Sequence, residues 1–216
     1  MSPGTIARAD SVEVVSHHPR PRVLVLGWTN SPHVIDWASM VADAGFEVHV
    51  AGREADDWPT TSGIRGTTSV TAVALPRVPG LRGRRLSREL AAIARDLQPD
   101  LVHAHWLPEF GWIAAREHLK PLVCSAWGSD VLAPSRLTAK RSALAIGASR
   151  VVLADSLALR SAILDLASRP VRVDVVRWGL DLSTFCPAPR SAARSALGWD
   201  DAPTVLSTRQ LKPVYN

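Results

Sequence analysis

Short apolar runs, each closed by glycine or polar residues, alternate along the chain with segments whose apolar positions recur three and four apart. Val23-Leu24-Val25-Leu26 is the first run; Gly27 closes it, and it predicts a strand. Residues 28–31 read as a polar loop, with Pro32 placed to open a helix. Over 32–44, Val34, Trp37, Ala38, Val41 and Ala42 mark one helical face, and Gly45 supplies the stop. The same reasoning predicts further strands over 46–51, 70–75, 101–106, 122–126, 151–154 and 171–176. It predicts helices over 86–97, 109–118, 137–146 and 156–167, with residues 76–85 an arginine-rich loop. Alternation of this kind specifies a parallel sheet of six or seven strands covered on both faces, a doubly wound α/β fold.

The two ends follow different rules. Residues 1–21 lack periodicity and read as a mobile leader before a Rossmann-like unit over 22–182. Pro187, Pro189, Gly198 and Pro203 punctuate a linker over 183–203, which has room for a short helix over 191–197. A further strand is expected over 204–208, opening a second, incomplete α/β domain over 204–216.

Composition narrows the class. Of 216 residues, 46% are hydrophobic and 21% charged, which supports one sizeable core and excludes a disordered polymer. Arg150, Asp155 and Arg160 interrupt the longest apolar candidate for a membrane span. Arg8, Asp10 and Glu13 interrupt the opening residues, so no secretory signal is expected there and a cytoplasmic location is. Cys124 and Cys186 are expected to be free thiols. The net charge of +5 is too small and dispersed to imply nucleic acid. Lysine occurs only at 120, 140 and 212, so arginine supplies most of the cations; it suits phosphate and carboxylate groups, and a GC-rich genome gives the same bias.

In open parallel sheets the ligand crevice lies beyond the carboxyl ends of the strands. Residues following the strands are therefore the candidates. The loop Gly27-Trp28-Thr29-Asn30-Ser31-Pro32-His33 lacks the G-x-G-x-x-G of dinucleotide enzymes but offers Asn30, Ser31 and His33 to a ligand, with Ser31 alternatively a plain helix cap. His103 and His105 share a strand face, and His105, nearer the carboxyl end, is placed to polarise a hydroxyl or pair with phosphate. The pair would bind zinc only with a third ligand from Glu109, Asp130 or His33; a buried, hydrogen-bonded His103 is the simpler reading. Trp127-Gly128-Ser129-Asp130 joins an aromatic platform to polar groups, a set suited to a sugar, with Ser129 and Asp130 alternatively helix caps. No G-x-S-x-G elbow, P-loop or H-E-x-x-H helix is present, so hydrolase, NTPase and metalloprotease readings lack their residues.

Taken together, several segments resemble family 4 of the retaining glycosyltransferases. They are Ser31-Pro32-His33-Val34-Ile35-Asp36-Trp37, Pro99-Asp100-Leu101-Val102-His103-Ala104-His105-Trp106, Ser125-Ala126-Trp127-Gly128-Ser129-Asp130-Val131, Ala154-Asp155-Ser156, and Trp178-Gly179-Leu180-Asp181 through Phe185-Cys186-Pro187. The resemblance implies the GT-B fold of two facing Rossmann-like domains, with this chain matching the N-terminal, acceptor-side half. It implies an active-site role for His105 and an acceptor site drawing on Asn30, Ser31, His33, Trp106, Glu109, Trp127, Ser129 and Asp130. Arg209 and Lys212 match the basic pair that meets the donor diphosphate. The nucleotide sugar is then a substrate, and neither cofactor nor metal is expected.

The expected function is transfer of a sugar, with retention, from a nucleotide-sugar donor to a sugar, lipid or small-molecule acceptor. A noncatalytic acceptor- or partner-binding module and a GT-B sugar-nucleotide epimerase are the competing readings. Because the resemblance puts most donor-binding groups in the second domain, residues 1–216 alone are expected not to transfer sugar. The arginines from Arg77 to Arg88, with Leu81 and Leu86 among them, offer peripheral contact with an anionic membrane or a phosphorylated acceptor; a solvated loop is the plainer alternative.

Overall fold

The computed structural model describes residues 20–56, 58–59, 64–76, 79–179, 182 and 185–207. The expected leader therefore lies almost wholly outside the described residues, as do Arg77, Arg209 and Lys212. The chain divides into two compact units, residues 1–177 and residues 178–216.

The first unit is a seven-stranded, all-parallel sheet. Its strands are β1 (Arg22–Trp28), β2 (Glu47–Arg53), β3 (Ser69–Ala72), β4 (Leu101–His105), β5 (Leu122–Ser125), β6 (Val151–Ala154) and β7 (Arg172–Val175). Helices α1 (Pro32–Asp43), α2 (Pro79–Leu97), α3 (Trp112–Arg116), α4 (Arg136–Ala148) and α5 (Leu157–Leu166) connect them. The spatial order is β3-β2-β1-β4-β5-β6-β7. The chain winds outward from β1 through β3, then returns to lay β4 on the other side of β1, which makes the β1/β4 boundary the switch point.

Burial follows position in the sheet. The central strand β1 is buried along nearly its whole length, which its unbroken apolar run requires, whereas edge strand β3 is exposed throughout. Alternate residues of β1 enter different cores. Val23 and Val25 pack with Val34 and Ala38 of α1, while Leu24 and Leu26 join the larger cluster built on α2 to α5. Gly27 lets α1 approach: a Cβ there would lie 2.7 Å from Val34 Cγ2 and 3.5 Å from His105 Cβ.

Three local expectations are corrected. Residues 79–85 are the first turns of α2 rather than loop, because Pro79 suits a helix start and arginine and leucine are good helix formers even where no buried face marks the period. The helix expected over 109–118 begins as a π-helical stretch, Leu107–Gly111, which runs into α3. In the second unit, the helix expected over 191–197 is α6 (Arg190–Leu197), closed by Gly198 at φ +67°. The strand expected over 204–208 does not form in its described part: residues 203–207 pair with no strand, and Val205 is 100% exposed.

Candidate active site

The switch point gathers aromatic side chains from three strand ends. Trp28, the last residue of β1, lies 4.7 Å from Trp106, 5.3 Å from Trp127, 5.5 Å from Phe110 and 6.0 Å from Trp58, measured between ring centroids. Trp106 follows β4 and Trp127 follows β5, so strand order alone brings them around Trp28. Trp106 has φ +65°, a left-handed conformation costing a non-glycine residue on the order of 1–3 kcal/mol; such strain concentrates at functional sites. It turns the chain from β4 straight into the π-helical stretch.

On the α1 side of β4, His103 and His105 stack with centroids 4.5 Å apart and planes 29° apart. Trp37 of α1 meets both edge-on, at 5.2 and 6.0 Å. His103 Nε2 and Ser125 Oγ are hydrogen-bonded at 2.8 Å. Burial pushes the His103 pKa down to about 3 and that of His105 well below its ordinary value; nearby His103 and His33 lower His105 further. Both rings are neutral at pH 7. His105, expected at the edge of the crevice, instead has 0% exposure and lies one layer down, 6.1 Å from Trp127.

The loop residues divide into those that hold the site together and those that face outward. Asn30 was expected to meet a ligand, but its amide donates to the carbonyls of Ala55 and Trp58, both at 2.9 Å, and its oxygen accepts from Ala55 N at 2.8 Å. It clasps the loop after β2. Ser31 is fully buried at the N-cap position of α1 without capping the helix, and its Oγ has no hydrogen-bond partner among the described residues. Asp130 does not cap α4. Its carboxylate accepts from Trp127 N at 3.0 Å and Leu107 N at 3.2 Å, while its carbonyl accepts from Ser142 Oγ at 2.9 Å. Asp130 thus ties the β5 loop to the π-helical stretch and α4, and burial raises its pKa against those hydrogen bonds. Ser135, not Ser129, caps α4.

His33 and Ser129 are exposed, Trp106 and Trp127 half-buried. His33 lies 5.1 Å from Trp127, edge to face, and partial burial of its ring lowers its pKa. Glu109 is bridged by Arg53, whose Nε and Nη2 donate to its two oxygens at 2.9 and 3.0 Å. Glu109 and Asp130, two of the three candidate third ligands for zinc, are so engaged; among the described residues no group of three His, Cys, Asp or Glu is arranged to hold a metal.

Arg53 escaped the sequence reading. It ends β2, and its guanidinium stands 5.5 Å from the Trp28 ring centroid. The rule that picks out strand ends would have found it, had it been applied to β2 as well. Trp112 and Arg141 lie on helices well beyond any strand end, and only packing brings them near Glu109 and Trp106. A second hollow, of about 620 Å³, opens between Arg53, Glu54, Leu75 and Arg82.

Residues 22–156 match the protein family described as glycosyl transferase 4-like. The chain is 32% identical over 200 residues to the D-inositol 3-phosphate glycosyltransferase of Mycolicibacterium gilvum (strain PYR-GCK), an alignment covering 81% of this chain and 45% of that protein. The chain spans about half the length of the curated relatives it matches. Among solved structures, sucrose-phosphate synthase from Thermosynechococcus elongatus superposes with a TM-score of 0.67 at 13% identity, covering 85% of this chain and 54% of that one. Anabaena HepE, in complex with UDP and glucose, superposes with a TM-score of 0.62 at 20% identity, covering 83% and 50%. At such identities the likeness is one of fold, the Rossmann-like sheet. No helix among the described residues is long and apolar enough to cross a membrane.

Proposed function

The chain belongs to the glycosyl transferase 4-like family, and from that membership we propose that the protein transfers a sugar from a nucleotide-sugar donor to a hydroxyl-bearing acceptor, with retention. The observation that carries the reading is the cluster of aromatic side chains at the carboxyl ends of β1, β4 and β5. Trp106 and Trp127, both half-buried, offer apolar faces for a sugar ring, and His33 and Ser129 offer polar contacts at its margin.

Asn30 and Asp130 serve this reading by tying together the loops around the aromatic cluster, and buried Ser31 lies beside Asn30 at the start of α1. On the family resemblance His105 is assigned the catalytic role, its neutral imidazole able to share a hydrogen bond at pH 7. Arg209 and Lys212 are assigned to the donor diphosphate on sequence resemblance alone. No separate cofactor is assigned.

The basic start of α2 supports peripheral contact with an anionic membrane: Arg82, Arg84, Arg85 and Arg88 are exposed there beside Leu81, which is 52% exposed. Sedimentation with anionic and neutral vesicles tests this, and equal, negligible binding to both would remove it.

The test of the activity is a product assay on the protein from its complete gene, with a panel of nucleotide sugars and polyol, sugar and phosphorylated acceptors, inositol 3-phosphate among them. Glycoside formation with the donor's anomeric configuration is expected, and His105→Ala should lower turnover about a hundredfold. Donor epimerisation without any acceptor product would overturn the reading.

A further inference from the structure

Four guanidinium groups line a groove of about 460 Å³ between α2, the π-helical stretch, α3 and α4, those of Arg53, Arg84, Arg116 and Arg141. Arg53 uses all three of its nitrogens. Its Nε and Nη2 donate to the two carboxylate oxygens of Glu109 at 2.9 and 3.0 Å, and its Nη1 donates to the Glu54 carbonyl at 3.1 Å. Its guanidinium carbon lies 5.5 Å from the Trp28 ring centroid. The Arg53 and Glu109 side chains are 25% and 23% exposed, so water and salt weaken their pairing less than that of ions on the open surface.

These contacts reach Trp106 by two routes. Glu109 follows it by three residues, inside the π-helical stretch whose last residue, Gly111, donates its N–H back to the Trp106 carbonyl at 3.3 Å. Trp28 meets the Trp106 ring at 4.7 Å, with the planes tilted by 37°. One guanidinium thus holds both the backbone beyond Trp106 and the ring against which Trp106 lies. Trp106 needs such support, because φ +65° disfavours a residue with a Cβ and persists where surrounding contacts over-determine it. Its own amide, bonded to the Ser125 carbonyl at 3.0 Å, ties it to β5 but leaves the course of the chain beyond it to be fixed from the other side. Place in the sheet also sets this pair apart. Arg22 and Glu47 pair at the amino ends of β1 and β2, whereas Arg53 ends β2 and Glu109 follows β4, on the carboxyl side where a parallel sheet receives its ligand.

We propose that Arg53 is a positioning residue: paired with Glu109, it sets the conformation of Trp106 and its angle against Trp28, and through these rings the affinity for the acceptor. It acts through Trp106 and not on the reacting atoms. Lysine cannot replace it, because an ammonium keeps the charge but lacks the planar fork that fits both carboxylate oxygens. The effect on acceptor affinity rests on the glycosyl-transfer reading, whereas the effect on the rings does not.

The test uses the protein from its complete gene and the variants Arg53→Lys, Arg53→Gln, Glu109→Gln and Arg53→Gln combined with Glu109→Gln. Near-UV circular dichroism reads the coupled indoles, and Trp106→Phe supplies the spectrum without that coupling. Each variant should move toward the Trp106→Phe spectrum with its far-UV spectrum unchanged, and the double variant should lose no more than either single one. Arg22→Gln, which removes the ion pair at the amino ends of the strands, should leave the near-UV spectrum as it is. With the donor and acceptor identified by the product assay, KM for the acceptor should rise about tenfold while kcat changes less than about twofold. If Arg53→Gln does not fold, Arg53→Lys and Glu109→Gln carry the same readouts. A wild-type near-UV spectrum in the folded variants, full rescue by Arg53→Lys, or losses that add in the double variant would overturn the proposal. A fall in kcat at unchanged KM would also overturn it, by placing Arg53 at the reacting atoms. If the spectra move as expected while the protein glycosylates nothing, the glycosyl-transfer reading fails and the positioning of the rings stands.

Discussion

On the α1 side of β4 two imidazoles are stripped of water and held neutral, whereas beyond its carboxyl end, against α2, α3 and α4, four guanidinium groups keep both water and charge. The two regions meet at one strand and use opposite physics. Burial removes charge from a group that can release a proton, so His103 and His105 persist inside as neutral rings fixed by stacking and by Ser125. Arginine cannot release its proton, so it stays at the surface, on indole rings or opposite a carboxylate. The histidine side is a place of tight packing and the arginine side a place where charge stays in contact with water.

That contrast can be broken most severely by steric pressure on the histidine side. Gly27→Val puts atoms against Val34 and the His105 Cβ, and urea denaturation should show a loss of about 3 kcal/mol. Acid acts on the same side. His103 takes up its proton near pH 3 when folded but near 6.5 when unfolded, so its contribution is complete above pH 6.5 and is lost as pH falls toward 3. At pH 5 the loss should be about 2 kcal/mol from His103, with His105 acting in the same direction. Asp130, its pKa raised by burial, works in the opposite sense as pH falls. The double variant His103→Leu, Ser125→Ala should flatten the stability profile between pH 6.5 and 5, and an unchanged slope would assign the acid sensitivity elsewhere.

Smaller effects lie toward the boundary between the regions. Asp130→Asn leaves the backbone N–H groups of Trp127 and Leu107 competing for one carbonyl, and should cost about 1.5 kcal/mol in thermal unfolding. On the arginine side, Arg141→Gln removes a partly exposed cation from Trp112 and should change stability by less than about 1 kcal/mol. A larger loss would make Arg141 a packing residue and dissolve the contrast.

The sequence made the sheet legible because central parallel strands must be apolar on both faces, and Val23 to Leu26 and Val151 to Ala154 display that requirement directly. Edge strand β3 and the exposed first turns of α2 carry no such mark, which is why the arginine segment read as loop. At the site, the strand-end rule found His105, Trp106, Trp127 and Asp130 from position alone. It could not separate Asn30 and Asp130, whose polar atoms are taken up by backbone, from His33 and Ser129, which face outward.

By itself, then, the sequence determined the parallel α/β architecture, the strand ends at which chemistry gathers and the kinship carried by its motifs, since each depends on local pattern. Strand order, the depth of His105, the Arg53–Glu109 pair and the contact of Arg116 and Arg141 with Trp112 were decided only by tertiary structure. The physical reason is range: periodicity reports which face of an element is buried, but the partner across a hydrogen bond or a ring contact lies dozens of residues away, and packing alone selects it.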